Sequence, residues 1–195
     1  MTYDPVSINH LIRHRRSVFP KQFAEGGHVD DAIVAEILEN ATWAPSHGKT
    51  EPWKFVVFTG EGLNAFARFQ GELYKETSGE KFREATYRGL QENPLRASHL
   101  IAICLKRDPN QKFPELEEVA AVSCAVQNIY LSVAAYGLGG YWTTGGITYN
   151  EAAKPYFGLG DADRLMGFFY IGQVAVPSPA ATRRPIAESV SWVRE

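Results

Sequence analysis

The sequence predicts an α+β fold in which a mixed central sheet is flanked by helices, and three observations carry that reading. Short β-branched and aromatic runs at 53–59 and 100–105 are bounded by chain breakers, as buried strands are. Segments such as 31–43 and 114–137 repeat apolar residues every three or four positions, the spacing of helices that bury one face. Strands that alternate with helices place those helices on the faces of a sheet. With 195 residues the chain is long enough for one substantial core and too short for two of ordinary size, so 1–195 reads as one domain.

Taken in order, Ser7 is positioned to cap a short helix reaching Arg15, and Pro20 with Gly26 and Gly27 breaks the pattern. Asp30 or Asp31 opens a clearer helix. Its stripe is Ile33, Val34, Ile37, Leu38 and Ala41, and Pro45 ends it. A strand follows between Pro52 and Gly60, then a helix over 62–74. From Lys75 to Gln91 charge is dense and the apolar pattern weak, which predicts a mobile helical excursion and a candidate lid. The second strand stops at Lys106-Arg107-Asp108-Pro109. The longest and most buried helix is expected over 114–137, its core face made by Val119, Val122, Val126, Ile129, Val133 and Ala134. Small residues at Ala120, Ala121, Ser123, Ala125, Ala134 and Ala135 permit close approach of another helix. Gly137 closes it. A strand over 140–143, a Gly145-Gly146 turn, a helix near 150–157, a strand over 166–174 and an extended tail marked by Pro177, Pro179 and Pro185 complete the chain.

Apolar residues make up 45% and charged residues 22%, the balance of a folded globular protein rather than a disordered one. A net charge of −2 offers no global field to nucleic acid or an anionic membrane, so neither is an expected partner. The N-terminal residues lack the pattern of a secretory signal. No apolar run is expected to reach the roughly 18 residues of a membrane span, and a cytoplasmic, soluble chain follows as the expectation. Cys104 and Cys124 read as packed thiols, since neither CxxC spacing nor a local base activates them.

Four segments carry chemistry. Arg15-Arg16-Ser17 offers two guanidiniums and a hydroxyl, which suit a phosphate monoester; taken alone, the tripeptide reads first as a solvated surface patch. Between Trp43 and Trp53 a polar loop containing Pro45, Ser46, His47, Lys49 and Glu51 joins a helix to a strand, where binding groups often lie. An ordinary connection is the alternative. Around 137–146 glycines flank a short strand and let backbone N–H groups approach a flat ligand. Their placement after a helix, rather than opening one after a strand, disfavours a Rossmann fold. Finally, Arg183-Arg184-Pro185 in the tail is a solvated charge pair or a second grip on the same phosphate.

In this order and spacing the four segments resemble the nitroreductase family over almost the whole chain. The likeness rests on Arg15-Arg16-Ser17, the loop Ala44 to Trp53, the long helix running into the glycine-flanked strand over 121–146, and Arg183-Arg184-Pro185. It implies a homodimer with intertwined C-terminal tails and non-covalent FMN at the subunit interface. NADPH or NADH would serve as electron donor and a nitroaromatic, quinone or similar small molecule as acceptor, in ping-pong order. It further implies that Arg15, Arg16, Ser17 and Arg183 or Arg184 hold the flavin phosphate. Ser46 and His47, with Pro45 and Trp43 beside them, would reach the flavin from the partner subunit. The segment Trp142, Thr143, Thr144, Gly145 and Gly146 would face the ring. The flavin carries the chemistry, so no catalytic side chain is named.

Three departures stand out. Phe19 occupies a position where many relatives carry a cation, for which Lys21 or a partner residue is the candidate substitute. Lys49 stands at a usual Asn and Glu51 at a usual Gln. The missing cation keeps open a second reading, a flavin-handling protein with little reductase turnover.

Overall fold

A computed structural model describes residues 2–195. Five helices and four strands follow in chain order: α1 Pro5–His14, α2 Asp31–Thr42, β1 Trp53–Thr59, α3 Glu61–Ser78, α4 Glu84–Glu92, β2 His99–Leu105, α5 Glu115–Ala135, β3 Leu138–Thr143 and β4 Arg164–Gln173, with a 3-10 stretch Glu151–Phe157 between the last two. The fold is α+β, but the sheet is not mixed. Its order is β1-β2-β4-β3, and every neighbouring pair runs antiparallel. Hydrophobic periodicity marks a strand without giving its direction, which depends on which strand it meets.

Local chemistry explains most boundaries. Asp4, not Ser7, caps α1: its carboxylate accepts from the backbone N–H groups of Val6 and Ser7 at 3.1 and 3.0 Å, satisfying donors the helix cannot pair itself. Asp30 caps α2 through the Ala32 N–H at 2.9 Å. Asn150 does the same for the 3-10 stretch.

β2 is buried along its whole length, and its alternation sorts the core into two layers. Leu100, Ala102 and Cys104 join Leu63 and Phe66 of α3, Phe157, and Phe168 and Tyr170 of β4 on one face. Ile101, Ile103 and Leu105 meet Val34 and Ile37 of α2, Val122, Val126 and Ile129 of α5, and Phe169 and Ile171 on the other. Gly167 of β4 has φ of 112°, and a Cβ there would stand 2.3 Å from the Thr143 carbonyl oxygen. Only glycine fits, and the close approach sets the end of β3 against β4.

Two expectations about α5 and the thiols change. By length and composition α5 passes as a membrane span, against the expectation that no segment would. Its buried residues include Ala121, Val122, Ala125, Val126, Ile129 and Val133, which pack on the sheet and α2. That is also the burial of a core helix, and one such helix is weak evidence for a membrane. Cys104 is buried as expected, whereas Cys124 is exposed on the outer face of α5.

The charged segment 75–91 is ordered into the end of α3, a 3-10 turn Gly79–Lys81 and most of α4. No residue of α4 is buried. It is tied down by polar contacts: the Gln70 amide donates to the Leu90 carbonyl, and Tyr87 donates to Glu72 at 2.8 Å.

Candidate functional site

The segment after α1 runs beside β3. The Val18 N–H donates to the Gly140 carbonyl at 2.9 Å, and Phe23 forms an isolated bridge with Val174. This fixes Arg15, Arg16 and Ser17 near the point where α5 hands over to β3, and it gives the two arginines different surroundings. Arg16 is held by backbone carbonyls. Its Nη1 donates to the carbonyls of Arg13 and Arg15 at 2.8 and 2.9 Å, and its Nε to that of Pro179 at 3.3 Å. Arg15 instead lies over the Tyr130 ring, 4.6 Å from its centroid, and its Nη1 is buried without a hydrogen-bond partner.

A buried charged nitrogen left unpaired is costly, and it is a donor free to meet an anion. Tyr130 joins the neighbourhood together. Its phenol oxygen accepts from the Trp142 N–H at 2.8 Å and lies 3.3 Å from the Ser17 hydroxyl. Tyr130 escaped the sequence reading because its partners are 12 and 113 positions away. The one available signal was a phenol inside an aliphatic helix face, which needs a polar partner when buried.

Two residues beyond Ser17 a cavity of about 400 Å³ opens, lined by Phe19, Lys21, Gln70, Leu90, Tyr141, Thr143, Gly145, Gly146, Phe168 and Tyr170 among others. That is the volume of a small-molecule site. Phe19 and Tyr141 face each other with ring centroids 4.5 Å apart, and Tyr141 lies 6.3 Å from Tyr170. Burial first, and then the neighbouring Tyr141, raise the Tyr170 phenol above its ordinary range, so it stays a neutral hydroxyl. Gly146 has φ of 65° and sits under Leu90, whose Cδ2 would be 2.7 Å from any Cβ there. α4 therefore forms a wall of this cavity directly over the glycine turn.

The end of β3 splits between two faces. Thr143, Gly145 and Gly146 line the first cavity. Trp142 and Thr144 line a second one, of about 440 Å³, with Val119, Thr148 and Met166; the indole N–H donates to the Met166 carbonyl at 3.0 Å.

Trp43, Pro45, Ser46 and His47 do not line the first cavity of their own chain. Trp43 is 79% exposed. His47 stacks on Phe113 at 3.8 Å and lies 2.5 Å from a Glu117 carboxylate oxygen, at the N-terminal end of α5. In the same loop Lys49 and Glu51 have φ of 55° and 45°, a left-handed backbone that non-glycine residues adopt at a cost and that gathers at functional sites. Arg183 and Arg184 are exposed, and Arg183 donates to the carbonyl of its own neighbour Thr182. Phe82 packs between Tyr74 and Tyr87, with ring centroids 5.7 and 5.9 Å away, and neither Phe82 nor Tyr87 lines the first cavity.

The antiparallel α+β sheet thus carries an aromatic, glycine-floored cavity and, in a separate pocket on the same N-terminal segment, a buried arginine nitrogen with no hydrogen-bond partner among the described residues. The Nitroreductase family model matches residues 12–173, and the chain belongs to the nitroreductase family. YdjA of Escherichia coli K12, which carries an NAD(P)H nitroreductase name, is 30% identical over 164 residues, 83% of this chain and 85% of its own. YfhC of Bacillus subtilis, similarly named, is 28% identical over 93% of this chain and 91% of its own. Among solved structures, a nitroreductase-like family protein from Bacillus cereus superposes with a TM-score of 0.82 at 29% identity, covering 100% of this chain and 99% of its own. A Desulfovibrio desulfuricans protein described as a nitroreductase in complex with FMN gives 0.70 at 27% identity, with the same coverages.

Proposed function

We propose that this chain is one FMN-binding domain over 1–195 that works as an NAD(P)H-dependent oxidoreductase, reducing nitroaromatics, quinones or similar small acceptors by a ping-pong route. The observation that carries the proposal is the buried, unpartnered Nη1 of Arg15, in a surface pocket with Arg16 and Val18, on the same short segment that supplies Phe19 to a cavity walled by aromatic rings. Those groups suit a ribityl phosphate and a tricyclic ring, and a relative with bound FMN shares the fold.

When bound, FMN supplies the redox chemistry, and the protein orients it and tunes it. Arg15 would give the phosphate a charge-assisted bond and Ser17 a neutral one. Arg16 fixes the segment to the tail through Pro179. Thr143, Gly145 and Gly146 present the floor, while Leu90 and Phe19 exclude water from the far side. One cavity visited in turn by donor and acceptor is the basis for ping-pong kinetics.

A homodimer fits the surface. α1 buries none of its residues, with Val6, Ile8 and Ile12 exposed, and the tail exposes Ile186, Trp192 and Val193. Such apolar area belongs against a partner. Intertwined tails would bring Arg183 or Arg184 to the phosphate, and the partner's loop would deliver Ser46 and His47.

The test is threefold: a yellow preparation that releases FMN, a native mass twice that of the chain, and oxidation of NADH or NADPH that depends on an added nitroarene or quinone. A colourless monomer that takes up no FMN would refute the proposal. Phe19 in the cavity wall favours the second reading, a flavin-handling protein; tight FMN binding with negligible acceptor-dependent turnover would select it.

A further inference from the structure

The C-terminal half of α1 carries two histidines one helical turn apart. The His10 and His14 rings stack with centroids 3.8 Å apart and planes 17° from parallel, and the His14 Nδ1 lies 2.9 Å from the His10 carbonyl oxygen. A carbonyl oxygen only accepts, so Nδ1 carries the hydrogen of the neutral ring. The outer nitrogen, Nε2, is then a bare lone pair, which repels an anion; protonated, it becomes an N–H donor that attracts one.

Both rings line a pocket of about 360 Å³ together with Arg15 and Arg16. These four are the charged or titratable groups on its wall. The end of α5 and the chain after β4 contribute Ala134, Gly137, Val174, Pro177 and Ser178, none of them ionisable, and the Tyr130 ring lies under Arg15. No carboxylate among the described residues lines the pocket, and the histidines that pair with acids are His47 and His99 instead. Arg16 is spent on backbone carbonyls, whereas the Arg15 Nη1 has no partner. The pocket is therefore basic throughout, with one arginine donor to spare and a histidine pair whose charge is adjustable. Two charged rings stacked this closely would repel each other, so the pair holds one proton at a time. The carbonyl end of α1 favours that cation at His14.

We infer that His14 makes this pocket a proton-coupled anion site: a phosphate monoester held by Arg15 draws a proton onto the His14 Nε2, which then donates to it, while His10 remains a neutral stacking ring. The inference rests on the FMN reading above and adds to it a control of the phosphate grip by pH. Binding takes up a proton, so affinity rises as pH falls.

The test is a titration of FMN-free protein with FMN and with riboflavin, which has the same ring and no phosphate. From about pH 8 to about pH 6.5, where histidine changes charge and the phosphate stays mostly a dianion, the parent's dissociation constant for FMN should fall about fivefold. One linked proton permits no more than about tenfold per pH unit. The riboflavin constant should not follow it. His14→Phe keeps a flat ring and loses the nitrogens, and it should bind FMN equally at both pH values. His14→Arg should bind tightly at both, and His10→Phe should retain the fall. An FMN constant that ignores pH in the parent, a fall that survives in His14→Phe, or an equal fall for riboflavin overturns this inference alone. A parent protein that takes up no FMN overturns the functional reading and this inference with it.

Discussion

Arg15 and Arg16 are neighbours with opposite assignments, and substitution separates them. Arg15→Ala removes the group with no protein hydrogen-bond partner and should weaken FMN binding about ten- to a hundredfold, the loss of one bond to a charged group. Arg16→Ala releases three backbone carbonyls. It should leave FMN affinity within a few-fold but lower stability of the FMN-free protein by about 1–3 kcal/mol. Flavin titration beside urea unfolding distinguishes the two, and identical behaviour would mean the division of labour is wrong. The motif was legible in the sequence as a candidate phosphate grip; the different surroundings of its two arginines were not, because they depend on Pro179 and Tyr130 arriving from far along the chain. Lys49 offers a second check. At φ of 55° a lysine is strained where asparagine is tolerated. Lys49→Asn should therefore stabilise the chain by roughly 0.5–1 kcal/mol, read as a raised urea midpoint with an unchanged slope.

Among elements, β1, β2, β4, α2 and α5 were readable because each is a run whose period matches what it buries. β2 reads as unbroken apolar sequence since both its faces are covered. α1 was found with the wrong cap, as Asp4 and Ser7 both have capping side chains and spacing alone does not rank them. α4 was the hardest to place. Its contacts are polar bonds to α3 rather than an apolar stripe, and a pattern search sees only the stripe. The junction of β3 and β4 depends on Gly167. Gly167→Ala places a methyl against the Thr143 carbonyl and the Trp142 indole nitrogen, and overpacking of this kind costs about 1–3 kcal/mol or more. The expected result is a lower midpoint in urea together with weaker FMN binding, since Thr143 lines the cavity; a variant as stable as the parent would show that the two strands part easily.

At the scale of the molecule, the sheet's direction and the split of the β3 end between two cavities could not be read from one dimension, and the partner surface could be read only as exposed apolar residues. Hydrogen exchange should show α1 and residues 180–195 protected at high protein concentration and labile on dilution, as their unburied state in the single chain requires; equal labilities at both concentrations would argue against a dimer built on them. Alkali probes the core. Burial pushes the Cys104 thiol up to about 12 from its ordinary 9.0, and burial also raises Tyr170. Both hold their protons more tightly folded than unfolded. Their contribution is intact below about pH 9 and is lost as pH climbs towards 12, so urea midpoints should decline over that window, and Cys104→Ser should flatten the decline.

The lone guanidinium nitrogen of Arg15 has a consequence for the life of the protein in a cell. A chain completed by its cofactor gains stability only as that cofactor is supplied, by about 2.7 kcal/mol when the free concentration is a hundred times the dissociation constant. On the proposed FMN reading, newly made copies are expected to be more open to proteases until FMN arrives, so that FMN supply, as much as gene expression, would set how many survive.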